Sequence, residues 1–168
     1  MITKEMLEHF TIRTSEHISR VMFNMLRMSE HDGLGIGTIY ERAMAHDESK
    51  YSESEKEAYI YLTEHYRCKR LGIAYEYPKG IQDKVDMACK LHVKTNKHHP
   101  EAWHDCNDMQ FLDLVEMVAD WKAMSQELNQ HYGSPRIWAT ENIDRWKFTS
   151  ENKQRIFKII HDMDERTK

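Results

Sequence analysis

The sequence has 168 residues, the length of one domain with one sizeable core. Its 24 basic and 28 acidic residues give a formal net charge of −4. This balance argues against a dedicated binder of duplex nucleic acid, because such proteins carry a strong basic excess. Hydrophobic residues make up 40% of the chain, which is polar but able to form a core. No run of about 18 apolar residues occurs, so no transmembrane helix is expected.

Cysteine usage and the first residues favour a reducing, cytoplasmic setting. Cys68, Cys89 and Cys106 are odd in number and far apart, and no CxxC pair occurs. Neither a disulfide framework nor a thiolate zinc site is therefore expected. The amphipathic start from Met1 to Glu5 is unlike a signal peptide. We expect a cytoplasmic protein with no membrane partner.

Apolar residues recur at helical spacing over most of the chain, and strand-like alternation is almost absent. This pattern predicts an all-α fold, a single domain of six or seven helices. In chain order we expect helices over about residues 3–28, 38–46, 52–70, 81–95 and 109–129, a short helix starting at Pro135, and a closing helix from Ser150. Loops are expected around Asp32 to Gly37 and over residues 71–80. Ser52 is expected to cap the third helix, with Glu55 completing a capping box.

Histidine is abundant, with 11 in the chain, and two of these residues lie on apolar helix faces. His17 shares the stripe of Phe10 and Val21, and His92 shares the face of Val85. A buried imidazole needs a polar partner. For each residue alone, a core histidine bonded to a backbone carbonyl is the alternative to a metal ligand. Two inward histidines on separate helices favour a set of ligands.

Three acidic residues, Asp113, Glu116 and Asp120, share one stripe of a strongly apolar helix. Such a helix is expected to be buried on most sides, so its carboxylates need a cation, a donor or a metal. A solvated acidic stripe is the alternative. Asp120 is expected to point inward because Met117 and Trp121 flank it, but Asp113 or Glu116 would take its place if the helix were rotated.

Two polar groups stand at predicted helix ends. His46-Asp47 ends the second helix, and Lys50 follows three residues later. His98-His99 follows the fourth helix, and which imidazole would bind a metal stays open. Imidazole nitrogen and carboxylate oxygen are the metal ligands available where thiolates are absent.

In chain order these residues form a series, His17, His46-Asp47, His92, His98-His99 and Asp120. The series resembles the H…HD…H…HH…D pattern of the HD-domain superfamily of metal-dependent phosphohydrolases, over about residues 10–125. The HDxxK run from His46 to Lys50 looks like the two-metal branch. The blocks HDESKYS, NKHHPEAW and EMVADW are similar to small phage and bacterial HD-like proteins of generally unassigned activity. The resemblance implies one HD-like domain over residues 1–168, with helices of residues 135–165 packing on its core.

The resemblance also implies a ligand set for two divalent ions, whose identity among Mn, Co, Mg, Zn and Fe stays open. Asp47 would bridge the two ions. One ion would be held by His17, His46 and Asp120, and the other by His92 with His98, His99 or both. Two such ions can activate a water and clamp a phosphate oxygen.

Lys50 would act with Asp47 in catalysis, as a cation for the substrate phosphate or the leaving oxygen. Arg20 and Lys97 would add substrate-binding charge near the opening, with ordinary surface basicity as the alternative. Glu53 is a proton carrier in one interpretation, and a structural acid at a helix start in the favoured one.

Three functions are compatible with this series. The first is a phosphohydrolase that acts on a nucleotide or another small phosphorylated substrate through a metal-activated water. The alternatives are an HD-type di-iron oxygenase and a binding protein that sequesters a nucleotide without turnover. A homo-oligomer is left open. The tryptophans, Trp103, Trp121, Trp138 and Trp146, invite a base-stacking role but are expected in the core or at its rim.

Overall fold

The first helix, α1, spans Lys4–Leu26 and contributes to every major part of the core. Thr3 caps it, because the Thr3 hydroxyl accepts a hydrogen bond from the Met6 amide at 3.2 Å. The predicted stripe is buried, including Phe10, His17 and Val21. The apolar period of the sequence therefore correctly identifies the inward face of this helix.

The computed structural model describes residues 1–28 and 33–166, and Asp32 of the predicted loop lies outside them. Within these ranges the chain forms seven α-helices and no strand, which confirms the predicted all-α fold. After α1 come α2 (Ile36–Met44), α3 (Lys56–Arg70), α4 (Ile81–Thr95), α5 (Phe111–Glu127), α6 (Arg136–Asn142) and α7 (Ser150–Arg166). No helix of the described residues is both long and apolar enough to cross a membrane.

The predicted capping box at the start of α3 is wrong. The helix begins at Lys56, and Ser52 bonds through its hydroxyl to Ser54 rather than to a helix amide. The Glu55 carboxylate, which was expected to complete the box, is buried and lies 3.1 Å from His92 Nδ1. A buried imidazole requires a polar partner, so Glu55 bonds to His92 instead of capping the helix.

Apolar side chains form two clusters, and α1 takes part in both. The first half of α1, with Met6 and Phe10, packs against α3 and α4. The second half, with Val21 and Met25, packs against α2 and α5 and belongs to a cluster that also includes residues of α6 and α7. His17 lies between the halves, so the polar groups around it collect where the two clusters meet. All four tryptophans are partly buried against the second-half cluster, as predicted.

The closing helix α7 packs on α5. Ile156, Ile160 and Met163 are fully buried there. The buried Lys122 ammonium on α5 donates to Asp164 Oδ1 on α7 at 2.6 Å. Pairing the buried charge in this way keeps α5 fixed along its length, and α5 carries the acidic residues of the site.

Candidate metal centre

Asp47 lies at the middle of the buried histidines. Its Oδ2 is 3.6 Å from Nε2 of both His17 and His46. Its Oδ1 is 3.1 Å from His92 Nε2 and 3.8 Å from His98 Nε2. One buried carboxylate therefore faces two histidine pairs, one pair with each oxygen.

The backbone at Asp47 turns sharply to achieve this. Asp47 follows α2, has φ 57° and ψ 12°, and begins a 3₁₀ turn over Glu48–Tyr51. Aspartate is one of the few non-glycine residues that adopts this left-handed conformation readily. The turn directs the Asp47 carboxylate inward and places Lys50 beside it, where the Lys50 ammonium donates to Oδ2.

His17 and Asp120 meet across α1 and α5. Asp120 Oδ1 lies 3.1 Å from His17 Nε2, and the His46 and His17 Nε2 atoms are 3.4 Å apart. The buried His17 Nδ1 has no hydrogen-bond partner among the described residues, so His17 is not held by a backbone carbonyl. Burial raises the pKa of Asp120, but the hydrogen bond and charge of His17, together with the charges of His46 and His98, outweigh it and hold the pKa below its ordinary value.

Glu116, one turn before Asp120 on α5, holds two of the histidines. Its Oε1 lies 2.9 Å from His46 Nδ1 and 3.3 Å from His98 Nδ1. Burial raises the pKa of Glu116, but these two imidazoles lower it to about 2. An ionised Glu116 makes Nδ1 the protonated nitrogen of each ring and leaves Nε2 free to face Asp47.

Arg42 on α2 holds the Glu116 oxygen that does not contact the histidines. Its guanidinium donates through Nε to Glu116 and through Nη2 to Asp113 Oδ1 at 2.7 Å. Asp113 also accepts from the Gln110 amide at 2.9 Å, which closes a capping box at the start of α5. Asp113 and Glu116 are buried, so the alternative of a solvated acidic stripe is wrong. Asp120 is the member of the stripe that faces His17.

Glu55 performs the same orienting role for His92. Its Oε2 lies 3.1 Å from His92 Nδ1 and accepts from the Ser49 hydroxyl at 3.2 Å. Neither residue was singled out for this role in the sequence. A glutamate at a helix start carries no signal that its side chain turns inward.

Both histidines of the pair lie at the site. The His98 ring centroid is 4.4 Å from that of His46, and the His99 centroid is 5.1 Å from that of His92. Burial and the neighbouring His98 lower the pKa of His99 to about 3. The nitrogens of His92, His98 and His99 come close enough together to share one ion, as do those of His17 and His46 with the Asp47 carboxylate.

The buried polar atoms of the cluster test whether a cation fits. Asp47 Oδ1, His98 Nε2 and His99 Nε2 are buried without a hydrogen-bond partner in the described chain. Burial raises the pKa of Asp47, but Lys50 and then His46 outweigh it and keep the pKa well below its usual range. Buried acceptors with nothing to bind are costly, and imidazole nitrogens with carboxylate oxygens suit a divalent transition metal. The residues present therefore fit a metal.

A cavity of about 490 Å³ opens onto this cluster. Its wall includes His17, Asp47, His92, His99 and Asp120 together with Lys50, Arg13, Arg70, Tyr59 and Cys89. Arg13 donates to Glu127 at 2.7 Å, whereas Arg70 has no ion-pair partner among the described residues. Neither arginine was expected at the site from the sequence: Arg13 lies one turn before His17 without any motif to mark it, and Arg70 lies far from the histidine series along the chain.

Arg20 and Lys97, which the sequence placed near the opening, do not line this cavity. Arg20 is partly buried on α1 and pairs with Glu16 at 3.3 Å. The Lys97 ammonium lies 6.0 Å from the Trp103 ring centroid. Glu53 lies in a separate surface groove with Glu57 and Lys84, in keeping with a structural acid.

The chain belongs to a family of unknown function, DUF5662, whose profile matches residues 6–167. The match includes all the histidines and carboxylates that surround Asp47, which together are called the metal cluster below. No curated protein matches the chain, and no solved structure does. The family description assigns no activity, so the side chains of the site have to support any functional proposal.

Proposed function

We propose that the protein is a metal-dependent phosphohydrolase of the HD type, acting on a nucleotide or another small phosphorylated molecule. The observation that carries this proposal is the Asp47 carboxylate, whose two oxygens face separate histidine pairs while Lys50 reaches the same carboxylate from the cavity. A carboxylate whose two oxygens face separate imidazole sets would suit a pair of divalent ions.

The chain offers two overlapping ligand sets. One set consists of His17, His46, Asp47 and Asp120, and the other of Asp47, His92, His98 and His99. When bound there, divalent cations supply Lewis-acid chemistry, which activates water as a nucleophile and neutralises phosphate charge. Glu116 and Glu55 keep the imidazoles in the orientation that this binding needs.

The cavity wall also contains basic side chains that could bind a phosphate group. The Lys50 ammonium lies 5.2 Å from the Tyr59 ring centroid and donates to Asp47. Cations bound to Asp47 would replace that ion pair and free the ammonium to donate to a phosphate oxygen. Arg70 adds a second positive charge without an ion-pair partner in the described chain, and a guanidinium suits phosphate oxygens. These charges favour a phosphorylated substrate over a neutral one.

The test is phosphate release by the purified full chain, loaded in turn with Mn²⁺, Co²⁺, Mg²⁺, Zn²⁺ and Fe²⁺. The substrates are a panel of nucleotides and sugar phosphates. We expect release of phosphate, pyrophosphate or nucleoside from at least one substrate. Asp47→Asn should abolish this release, whereas Asp144→Asn, at an exposed carboxylate, should not.

A wild-type protein that releases nothing with any metal would overturn the proposal. Oxygen uptake by the iron-loaded protein without phosphate release would point to the oxygenase instead, because the same ligands suit two iron ions.

A further inference from the structure

The cavity lined by His17, Asp47 and Lys50 is called the metal cavity below. A second cavity, of about 370 Å³, adjoins it. Five residues belong to the walls of both, namely Val93, His99, Asp120, Met124 and Leu128. Two of these residues, His99 and Asp120, belong to the metal cluster. The second cavity therefore adjoins the candidate metal centre. Its volume is in the range of about 300–1,000 Å³ that is typical of small-molecule sites.

Three tryptophans form one wall of this second cavity. The ring centroids of Trp121 and Trp146 are 5.8 Å apart and their planes are inclined by only 11°. Trp138 is inclined by 55° to Trp121 and by 50° to Trp146. Each indole is partly exposed although it packs on the core. Mutual contact holds these rings at fixed angles, so their exposed faces form a preorganised apolar surface.

The remaining side chains at this wall decide which apolar group would fit. The Arg145 guanidinium lies 5.3 Å from the Trp146 ring centroid and carries no ion pair among the described residues. Three indole rings alone would attract a cationic group, but the positive charge of Arg145 disfavours one here. One oxygen of Glu101 accepts from Trp146 Nε1 at 2.9 Å. Arg145 and Gln130 remain available to the polar edge of a flat ring.

We propose that this tryptophan-lined cavity is a subsite for a planar aromatic group, such as a nucleobase, in a ligand whose phosphate lies in the metal cavity. The inference rests on the proposed function for the position of the phosphate. It narrows the substrate from any small phosphorylated molecule to an aromatic one. Stacking on indole is tolerant of base identity, so the subsite selects for a flat ring more than for one base.

The experiment measures binding by calorimetry to the full chain treated with EDTA, in which metal-dependent turnover is absent. The ligands are adenosine, guanosine, cytidine and uridine, their 5′-monophosphates, ribose 5-phosphate and phosphocholine. We expect at least one nucleoside monophosphate to bind about tenfold or more tightly than ribose 5-phosphate and phosphocholine. Trp138→Leu and Trp146→Leu should each reduce this advantage about tenfold.

Trp103→Leu is the matched control, because Trp103 is also partly buried but lies outside this cavity. It should leave the advantage unchanged. The wild-type comparison of nucleotide with ribose 5-phosphate needs no variant, so it stands even where a tryptophan variant fails to fold.

Equal binding of ribose 5-phosphate and every nucleotide would overturn the subsite, as would an advantage that survives both tryptophan substitutions. Tighter binding of phosphocholine would overturn it too. Nucleoside binding that depends on Trp138, in a protein that never releases phosphate, would support the subsite and contradict the hydrolase. Hydrolysis of ribose 5-phosphate with no nucleoside binding would do the reverse.

Discussion

At the scale of single residues, the centre depends on which nitrogen of each imidazole faces Asp47. Glu116 accepts from Nδ1 of two histidines and Glu55 from Nδ1 of a third. Neither carboxylate contacts the Asp47 oxygens, and both act through the rings that they hold. In the proposed metal centre their contribution would therefore be one of orientation.

Glu116→Gln tests this orienting role. Both imidazoles contact Oε1 and Oε2 accepts from Arg42, so the NH₂ donor of an amide must face either Arg42 or the two imidazole N–H groups, and that contact is lost. We expect metal affinity to fall about 10- to 100-fold while the helical content stays unchanged. The measurement is metal titration of EDTA-treated protein. Glu41→Gln, at an exposed position on α2, is the control and should bind metal like the wild type. Equal affinity in both variants would contradict the role of Glu116.

A comparison of Lys50 with Arg20 tests which cation serves the substrate. Lys50 lines the metal cavity, and Arg20 pairs with Glu16 outside it. Once the substrate is known, Lys50→Ala should lower kcat about 10²-fold or more, because a donor to developing charge is lost. Arg20→Ala should leave kcat and KM unchanged. The measurement is steady-state kinetics of both variants. A large loss of kcat in Arg20→Ala would mean that Arg20 also contacts the substrate.

At the scale of secondary-structure elements, the link between α2 and α3 presents the Asp47 carboxylate to the buried histidines. Asp47 has φ 57°, in the left-handed region, at the point where the chain leaves α2. Glycine adopts this conformation without strain, whereas alanine pays roughly 1–2 kcal/mol for it. The shape of the turn and the chemistry of the carboxylate can therefore be separated by substitution.

The pair Asp47→Gly and Asp47→Ala makes that separation. Both variants lose the carboxylate, so both should lose metal binding. Without metal, Asp47→Gly should have the higher free energy of unfolding, by about 1 kcal/mol, because only alanine is strained at this φ. Denaturant unfolding measures the difference. An alanine variant as stable as the glycine variant would show that the turn relaxes and that the conformation is not required.

Element bounds follow closely from sequence where apolar spacing and punctuation agree. The predicted range of α4, residues 81–95, is the observed one, because Gly80 precedes its apolar stripe with φ 81°. The start of α3 shows the limit of such reasoning. Ser52 and Glu55 have the spacing of a capping box, but the Glu55 carboxylate contacts the buried His92 imidazole instead of a backbone amide. A contact between α3 and α4 overrides a local preference, and local sequence does not encode it.

At the scale of the whole molecule, the histidine series could be read from sequence because each member lies on a periodic stripe or at a helix end. The structure collects its members around Asp47, and His17, Asp47, His92, His99 and Asp120 also line one cavity. Arg13 and Arg70 could not be found in this way, since their place in the cavity wall depends on how α1 and α3 pack. The tryptophan cavity likewise depends on α5 meeting the segment around α6.

The centre lies where the two apolar clusters meet, so a bound cation would link α1, α4 and α5. Metal that binds the folded chain alone should raise stability by about 2.7 kcal/mol at a concentration 100 times the dissociation constant. Thermal unfolding with Mn²⁺ and with EDTA measures this effect. A melting temperature that rises with Mn²⁺ in the wild type but not in Asp47→Asn is expected. An equal rise in both would place the ion elsewhere.

The most direct test of the proposed metal centre is elemental analysis of the purified protein, with the metal content expressed per chain. We expect close to two divalent ions per wild-type chain and a clear loss of metal in Asp47→Asn. A well-folded wild-type chain that carries no metal and takes up none from Mn²⁺, Co²⁺, Zn²⁺ or Fe²⁺ would contradict it.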